Sequence, residues 1–292
     1  MDLKSYIFDV ARRFAKANIC FGHGTDNPDD EAVYLVFGSL GIDFNISVED
    51  ANRGLSSAEL DCLEDLVKKR ITHHVPVAYL IGEAWFAGLK FLSDERALVP
   101  RSPIAELIMN RFRPLLEDAP LKILDLCTGS GCIGIAIAHY FERSEVHVSD
   151  NAENCLELAK RNISFHNLSR RIKVIHSNLF ENITDKYDLI ITNPPYVSEN
   201  EYENLPMEYS HEPYNGLVSG DLGLAVPRKI LYAASEYLTE TGQLIMEVGL
   251  SSQELIRSYP EVPFLWLEFD RGGEGVFRLT ADQLTQYFRG LN

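Results

Sequence analysis

Residues 121–141 read LKILDLCTGSGCIGIAIAHYF, and this stretch decides the fold. Its first part is short and apolar, as in a buried strand, and its last part has the length and composition of a helix. The glycine-rich turn between them permits a sharp change of direction and a close approach of the backbone to a ligand. This turn is only a weak indication of a nucleotide-like cofactor. It lacks the lysine of a phosphate-binding P-loop, and Cys127 stands where a GxGxxG motif has its first glycine.

The pattern that this stretch begins continues toward the C-terminus. The segments EVHVSD, IKVIHSN, YDLIIT and GQLIMEVG resemble strands, and segments with helical spacing separate most of them. A helix, SSQELIRSYP, and two strands, LWLEFD and GVFRLT, are predicted to close the chain. Strands that alternate with helices predict an α/β fold with a mostly parallel sheet covered on both faces. Ligands bind such sheets outside the carboxyl ends of the strands, so we expect the functional residues there.

A different pattern precedes the sheet. Residues 1–75 predict a smaller helical domain, because apolar residues recur at helical spacing in MDLKSYIFDVARRFAKAN, EAVYLVFGSL and SSAELDCLEDLVKKRI. Asp29 or Asp30 could cap the second of these helices, and a serine followed by a glutamate marks the start of the third. Residues 76–118 predict a glycine-centred hairpin followed by a linker helix, and residues 119–292 form the α/β domain.

Composition restricts the class of protein. The 292 residues have a formal net charge of −16, which repels phosphate backbones, so we expect no stable nucleic-acid binding. The charge favours a basic protein partner, although it could also serve only solubility. No apolar run approaches the roughly 20 residues that span a bilayer, and the N-terminus is not a secretory signal, so no membrane association is expected. Five cysteines without metal-type spacing fit reduced thiols in the cytoplasm, with Cys127 and Cys132 as small packing residues rather than a redox pair.

Two strand ends have residues suited to a nucleoside. Asp150 lies 25 residues after Asp125 and ends a predicted strand. In nucleotide-binding α/β folds such a carboxylate accepts hydrogen bonds from ribose hydroxyls, and the glycine turn favours this role over an N-cap for the next helix. Asn178 follows the next strand and could accept from an adenine amino group, with Leu179 and Phe180 as an apolar wall. A polar turn followed by two core residues is an equal alternative.

The end of the fourth strand is more specific. The buried segment YDLIIT stops at Asn193, Pro194, Pro195 and Tyr196. The prolines fix φ at about −65°, and Pro194 biases Asn193 toward an extended backbone, so the corner is rigid. The Asn193 side-chain oxygen and the Pro194 carbonyl can both accept hydrogen bonds from one NH₂ group, while the Tyr196 ring offers a flat face. The corner therefore predicts a clamp for a planar amide or base.

These motifs are similar to those of amino methyltransferases that use S-adenosyl-L-methionine (AdoMet) and whose cofactor loop precedes NPPY. Over nearly its whole length the chain resembles the HemK-like protein-glutamine methyltransferases, and within them the group that modifies large-subunit ribosomal protein number three. NPPY indicates only the class of reaction, whereas GHGTDNP, VPRSP and VPFLWLEFDRGGEGVF carry the more specific resemblance. The chain departs from the family at Asn178, where aspartate is usual; asparagine can still accept from an adenine amine. The resemblance implies a Rossmann-like, seven-stranded class I methyltransferase domain and a helical N-terminal domain for substrate recognition.

The resemblance also implies the site. The expected cofactor is AdoMet, with S-adenosyl-L-homocysteine as product and no metal. Residues expected to bind the cofactor are Asp125, Cys127, Thr128, Gly129, Ser130, Gly131, Asp150, Asn178, Leu179, Phe180 and Asn193. Residues expected to bind the substrate are Arg101, Asn193, Pro194, Pro195, Tyr196, Glu212 and Pro213. Asn193, Pro194 and Tyr196 are expected to be catalytic, because the clamp would position the nitrogen and place negative charge beside it.

Three of these roles have structural alternatives. Tyr196 could instead wedge against the edge of the sheet. Arg101 could anchor a substrate backbone or carboxylate, or it could form a structural ion pair. Glu212 and Pro213 lie in the long loop after NPPY, which could cover the pocket or be an ordinary polar surface loop.

The expected reaction is methyl transfer to a glutamine side-chain amide of that basic ribosomal protein, free or in an assembly intermediate. One alternative is the exocyclic amine of a nucleic-acid base, which the net charge and the lack of a basic, aromatic-interleaved stretch oppose. A second is a glutamine in translation release factors. A third is a non-catalytic AdoMet-binding or ribosome-assembly adaptor, although mere binding does not need the NPPY clamp.

Overall fold

The structure is a computed structural model, and it describes residues 1–43, 45, 47, 51–116 and 118–290. Helices α1 (Leu3–Lys16), α2 (Pro28–Leu40), α3 (Ser57–His73) and α4 (Val77–Ile81) precede the sheet. Their apolar faces form one core cluster, which extends from Leu3 to Val99. The helical character predicted for the N-terminal part is confirmed.

The helix starts were predicted with mixed success. Ser56 caps α3, and its side chain and that of Glu59 form the reciprocal capping box that the sequence indicates. The cap predicted for α2 is wrong: Asn27, not Asp29 or Asp30, accepts from the Asp30 backbone at 2.9 Å. Pro28 explains the earlier start, because proline at the first helical position needs no hydrogen-bond partner for its nitrogen.

A hairpin follows, with strands β1 (Glu83–Phe86) and β2 (Leu89–Leu92) paired antiparallel. The hairpin confirms the prediction, but residues 77–81, which the predicted segment included with the hairpin, form helix α4. Helix α5 (Ile104–Met109) is shorter than its sequence pattern indicates. The three domain boundaries drawn from the sequence stay a prediction.

The remaining strands form one seven-stranded sheet. They are β3 (Lys122–Leu126), β4 (Glu145–Asp150), β5 (Ile172–His176), β6 (Tyr187–Thr192), β7 (Leu238–Glu247), β8 (Leu265–Trp266) and β9 (Val276–Thr280). Their order is β5-β4-β3-β6-β7-β9-β8, with β9 antiparallel to both of its neighbours and the other pairs parallel. This arrangement confirms the predicted α/β class and the mostly parallel sheet.

Helices and two apolar clusters cover the sheet. The helices that follow β3 in the chain are α6 (Cys132–Tyr140), α7 (Glu153–Phe165), α8 (Glu199–Tyr202), α9 (Tyr214–Leu217), α10 (Ala225–Ala233), α11 (Ser252–Ser258) and α12 (Ala281–Phe288); α8 and α9 belong to the loop after NPPY. Helix α12, which the sequence reading missed, starts with a second capping box at Thr280 and Gln283.

The topology positions the site. From β3 the chain goes outward through β4 to β5 on one side, and β6 then pairs with the other side of β3. The loops after β3 and β6 therefore part in opposite directions, which opens a crevice at the carboxyl ends of these strands. The register places Leu126 opposite Thr192, so the glycine turn and the NPPY corner begin side by side.

Candidate active site

A cavity of about 610 Å³ opens at this edge of the sheet. Pockets of this volume are typical of sites for small ligands and cofactors. Predicted site residues in its lining are Arg101, Cys127, Thr128, Gly129, Ser130, Asp150, Asn178, Leu179, Asn193, Pro194, Pro195, Tyr196 and Pro213. Asp125, Gly131, Phe180 and Glu212 lie outside the lining.

The glycine turn forms one wall. Cys127, Gly129 and Gly131 have φ values of 60°, 55° and 83°, so the backbone enters the left-handed region three times between β3 and α6. The Thr128 nitrogen donates to a backbone carbonyl of β4 at 3.0 Å. A Cβ atom on Gly131 would lie 3.2 Å from Ala159, so this glycine permits close packing of the turn on α7.

Asp125 supports the turn from below. Its side chain is fully buried, and its Oδ2 accepts from the Thr128 hydroxyl and, at 2.8 Å, from the Gly134 nitrogen. Burial raises the pKa of Asp125 to about 7, although these two hydrogen bonds oppose the shift. Through these two hydrogen bonds Asp125 stabilises the shape of the glycine turn, and its side chain does not line the cavity.

Asp150 ends β4 and does face the cavity. Its Oδ2 accepts from the Gly129 nitrogen at 2.9 Å, and its Oδ1 accepts from the Ala152 nitrogen at 3.0 Å. The carboxylate thus joins the glycine turn to the start of α7. Each carboxylate oxygen has two lone pairs, so acceptor capacity is left for a ligand. Burial raises the pKa of Asp150, and the backbone donors oppose that shift.

The three predicted site residues in the loop after β5, Asn178, Leu179 and Phe180, point in different directions. The side-chain nitrogen of Asn178 donates to Glu181 at 2.7 Å. The side-chain oxygen can therefore still accept a hydrogen bond from a ligand in the cavity, which Asn178 lines. Leu179 lines the cavity, whereas Phe180 turns into the core and stacks on Tyr237 with ring centroids 4.5 Å apart. Of the predicted apolar wall, only Leu179 therefore faces the cavity.

The NPPY corner forms the opposite wall. The Thr192 hydroxyl donates to the Leu126 carbonyl at 2.7 Å, which ties the corner to the strand that leads into the glycine turn. The Tyr196 hydroxyl donates to Glu247 at 2.8 Å, and its ring packs on Gly249. Gly249 has a φ of 46°, and a Cβ atom there would lie 2.6 Å from the ring. Tyr196 is therefore locked at the end of β7, as the wedge alternative anticipated, while still lining the cavity.

Glu247 is a buried acid that the sequence reading missed. It is the last residue of β7, is 5% exposed, and lines the cavity. Its Oε2 accepts from the Ser102 hydroxyl at 2.5 Å, so the VPRSP segment reaches the NPPY corner through Ser102. Burial raises the pKa of Glu247, while the hydrogen bonds from Ser102 and Tyr196 and the charge of Arg101 oppose the shift.

Arg101 forms the structural ion pair that the sequence left open. Its Nη1 and Nη2 atoms donate to the two oxygens of Glu212 at 2.5 and 2.7 Å. Glu212 also accepts from the Val99 nitrogen at 2.9 Å, and His23 lies 3.5 Å away. Burial alone would raise the pKa of Glu212, but Arg101 and His23 outweigh it and lower that pKa to about 2. A role of Arg101 or Glu212 in substrate binding stays a prediction.

A second buried ionic cluster joins the N-terminal helices to the loop after NPPY. Arg70 of α3 donates to Glu31 of α2 at 2.5 Å and to Glu208 at 2.8 Å. Glu208 also accepts from the Cys20 nitrogen at 2.8 Å, and His74 Nδ1 lies 3.2 Å from it. Because Glu208 and Glu212 both belong to this loop, its position depends on residues far away in sequence.

The sequence contains a signal for Glu247 but none for the contact between Arg70 and Glu208. Glu247 ends a predicted strand, so the rule that directed attention to Asp150 and Asn193 applies to it as well. Arg70 and Glu208 are separated by 138 positions, and no local pattern connects them. Arg70 stands in an otherwise ordinary helical segment, and only the fold shows that it is buried.

All five cysteines are free thiols, and burial raises the pKa of Cys132 to about 12 and that of Cys127 as well. Across the described residues, the His, Cys, Asp and Glu side chains form no group of three or more that could hold a metal ion. Within the same part of the chain, no helix has the length and apolar composition needed to cross a bilayer.

Comparison with known proteins agrees with the geometry. The family model described as "Methyltransferase small domain" matches residues 105–209. A ribosomal protein uL3 glutamine methyltransferase of Francisella tularensis is 41% identical over 288 residues, which cover 98% of this chain and 92% of the relative. A protein of the same name from Xylella fastidiosa is 45% identical over 276 residues, which cover 94% of this chain and 88% of the relative.

One solved structure supports the fold. The catalytic domain of hMettl16, solved in complex with MAT2A 3′UTR hairpin 6, aligns with a TM-score of 0.51 over 81% of this chain and 87% of that one. Its sequence identity is 15%, so the likeness concerns the arrangement of strands and helices and not the substrate.

Proposed function

The chain belongs to the family of ribosomal protein uL3 glutamine methyltransferases, and we propose that it transfers a methyl group from AdoMet to the side-chain amide nitrogen of a glutamine in uL3, large-subunit ribosomal protein number three. Family membership rests on identity above 40% over most of both chains. One structural observation supports the chemistry most directly: the NPPY corner, the glycine turn and Asp150 line the same cavity. A methyl donor and an amide clamp would therefore meet there.

The cavity residues fit AdoMet. The free lone pairs of Asp150 suit the ribose hydroxyls, the Asn178 oxygen suits the adenine amine, and Leu179 offers an apolar contact. The backbone of residues 127–131 leads into the N-terminus of α6, where unpaired N–H groups are available. When bound, AdoMet supplies an electrophilic methyl group on a sulfonium.

The protein's task is to improve a poor nucleophile. The lone pair of a glutamine amide nitrogen is delocalised into its carbonyl, so the nitrogen attacks weakly. The Asn193 side-chain oxygen and the Pro194 carbonyl would accept hydrogen bonds from the two N–H groups of this amide. These bonds would hold the nitrogen in one orientation. These oxygens also put partial negative charge where positive charge develops during attack. Tyr196 would hold the carboxamide plane. The methylated amide then loses its extra proton readily to water, so no strong general base is needed.

We propose that the N-terminal helices select the substrate. They hold the loop after NPPY through Arg70, so they also influence the mouth of the cavity. The formal charge of −16 complements a basic ribosomal protein, and the family's substrate together with the reduced thiols favours action in the cytoplasm. Whether uL3 is modified free or in an assembly intermediate is part of the test.

Single-turnover transfer of labelled methyl to purified uL3, followed by mass-spectrometric mapping, tests this proposal. We expect label on one glutamine of uL3. Asn193→Ala should lower the rate by about 100-fold or more and leave the AdoMet dissociation constant nearly unchanged. Asn110→Ala, at an exposed position outside the cavity, is the matched control and should keep the wild-type rate.

Other outcomes would replace the proposal. Label on RNA or DNA would change the substrate class, and label on a release factor with none on uL3 would change the protein substrate. Tight AdoMet binding with no transfer to any candidate would indicate an adaptor. Comparing free uL3 with large-subunit assembly intermediates in the same assay shows which form is the substrate.

A further inference from the structure

A second cavity lies beside the active-site cavity, and we call it the side pocket. Its volume is about 290 Å³, at the lower end of the range that small ligands occupy, so one large side chain would fill it. It is lined by Gly24, Thr25, Asp30, Val33, Tyr34, Ala84, Trp85, Val99 and Pro100. The GHGTDNP loop, helix α2, strand β1 and the VPRSP segment all contribute to this lining. Two motifs that the methyl-transfer chemistry does not explain therefore meet at the side pocket.

The side pocket shares a wall with the active-site cavity. Val99 and Pro100 line both, so a single segment of chain separates the two spaces. Among the described residues, none of those expected to bind AdoMet or to clamp the glutamine lines the side pocket. An extended polypeptide advances about 3.3 Å per residue. A substrate whose glutamine lies in the active-site cavity would therefore present a residue only a few positions away to the side pocket.

The floor of the side pocket is apolar and buried, whereas its rim is open. Tyr34, Ala84 and Val99 are 7%, 1% and 1% exposed. Trp85, on the opposite part of the exposure scale, is 44% exposed. An exposed tryptophan over a buried apolar floor forms an entrance that a side chain can reach from solvent.

The polar side chains of the lining already have partners within the protein. The Thr25 hydroxyl donates to Glu31 at 2.7 Å, and the Tyr34 hydroxyl donates to a backbone carbonyl of β1 at 2.5 Å. Asp30 is exposed, and its carboxylate accepts from the Asn27 side chain at 2.8 Å. These bonds fix the walls before any ligand arrives, and they leave mainly apolar surface inside the side pocket.

We propose that the side pocket binds an apolar side chain of uL3, aliphatic or aromatic, that lies a few residues from the target glutamine. This inference rests on the proposed function and deepens it, because it names the feature of uL3 that the N-terminal part of the enzyme recognises. The formal charge of −16 attracts basic proteins in general, so charge alone does not select one of them. An apolar pocket beside the clamp does select, because a glutamine without the matching neighbour leaves the pocket unfilled.

Two substitutions in the enzyme test the side pocket. Trp85→Ala removes part of its wall, and Val33→Phe fills part of its volume. In both variants we expect the KM for uL3 to rise by about 10-fold or more, because an apolar contact of this kind discriminates by about that factor. The kcat at saturating uL3 should stay the same, as expected for a contact that is equally strong in the ground state and the transition state. An unchanged dissociation constant for AdoMet would show that both variants are folded.

Phe165→Ala is the matched control for Trp85→Ala. Phe165 is an aromatic residue that is 51% exposed and lies outside both linings, so the control should keep the wild-type KM. Asp30→Asn tests the rival occupant, a lysine or arginine whose charge would pair with Asp30. We expect its KM to stay within about threefold of the wild type, since an exposed ion pair is weak. A rise of about 10-fold would indicate a basic side chain and would overturn the proposal.

Substitutions in uL3 identify the occupant. Each apolar residue within about five positions of the mapped glutamine, the reach of a short extended segment, is replaced by alanine. One of these replacements should raise the KM with the wild-type enzyme and have little effect with Trp85→Ala, because the contact is then already lost. Fully additive effects at every position would contradict the proposed contact.

The same assays separate this inference from the proposed function. If the wild type methylates uL3 and the KM values of Trp85→Ala and Val33→Phe both stay within about threefold of the control, the side pocket does not bind the substrate, and the proposed function stands. If the wild type transfers no methyl group to uL3, both proposals are overturned.

Discussion

Replacing Arg70 by methionine should destabilise the protein strongly. The Arg70 side chain is 2% exposed, and its partners Glu31 and Glu208 are 3% and 1% exposed. Its Nη2 also donates to the Cys20 carbonyl at 2.6 Å. Methionine has a similar length and would fill much of the space, so the main loss is the charge and its hydrogen bonds.

The expected loss of unfolding free energy follows from the charges that stay buried when Arg70 is removed. Without Arg70, two buried carboxylates lose their shared guanidinium, and His74 near Glu208 is the only other basic side chain paired with either of them in the described part of the chain. Removing one partner of a buried ion pair typically costs about 3–5 kcal/mol, because the other charge is left uncompensated. Since whole proteins are stable by about 5–15 kcal/mol, this is a large fraction. It corresponds to a fall in Tm of roughly 5–15 °C.

Urea unfolding and thermal unfolding would measure this loss. Arg12→Met is the matched control: Arg12 is 73% exposed in its pair with Asp9 at 2.8 Å, and exposed pairs contribute about 0–1 kcal/mol. Glu208 lies in the loop after NPPY, so Arg70→Met should also increase proteolytic cleavage in that loop. If Arg70→Met and Arg12→Met lost the same free energy of unfolding within about 1 kcal/mol, the assigned role of this cluster would be wrong.

Three further predictions concern the site. Asp150→Ala should weaken AdoMet binding by at least roughly 10-fold in calorimetry, since a charged hydrogen-bond acceptor is worth about 1.5–3 kcal/mol; an unchanged affinity would contradict the ribose assignment. Gly249→Ala should lower both Tm and kcat, because its φ of 46° strains alanine by about 1–2 kcal/mol and the new Cβ displaces Tyr196, whereas Gly54→Ala has open space and should do neither. Burial raises the pKa of Asp125 to about 7, so the folded state holds this proton more tightly than the unfolded state does. The contribution of Asp125 to stability should therefore fall as the pH rises from about 4 to about 7 and then level off, and Asp125→Asn should remove that component of urea unfolding; equal pH slopes for both proteins would count against it.

Local sequence signals determined much of the fold. The capping box at Ser56, the strand-turn-helix of residues 121–141 and the strand that ends at Asn193 were all predicted, because each depends on neighbours within a few positions. The rule that ligands bind at the carboxyl ends of parallel strands then brought Asp150 and Asn193 to one cavity.

These local signals did not determine the direction in which each side chain points. Leu179 and Phe180 are adjacent and both apolar, yet one faces the cavity and the other stacks on Tyr237 in the core. The cap at Asn27 was missed for a related reason. Asn27, Asp29 and Asp30 all have side chains that can cap a helix, and only the backbone geometry shows that Asn27 does so.

By itself, the sequence determined the alternation of strands and helices from β3 to β7, the glycine turn and the NPPY corner. Only the tertiary structure decided that Glu247 faces Ser102 and Tyr196, and that Arg70 is buried between Glu31 and Glu208. The physical reason is the range of the interactions. Helices, turns and proline corners are stabilised by near neighbours in the chain, whereas a buried charge is stabilised by partners that folding brings together from distant segments.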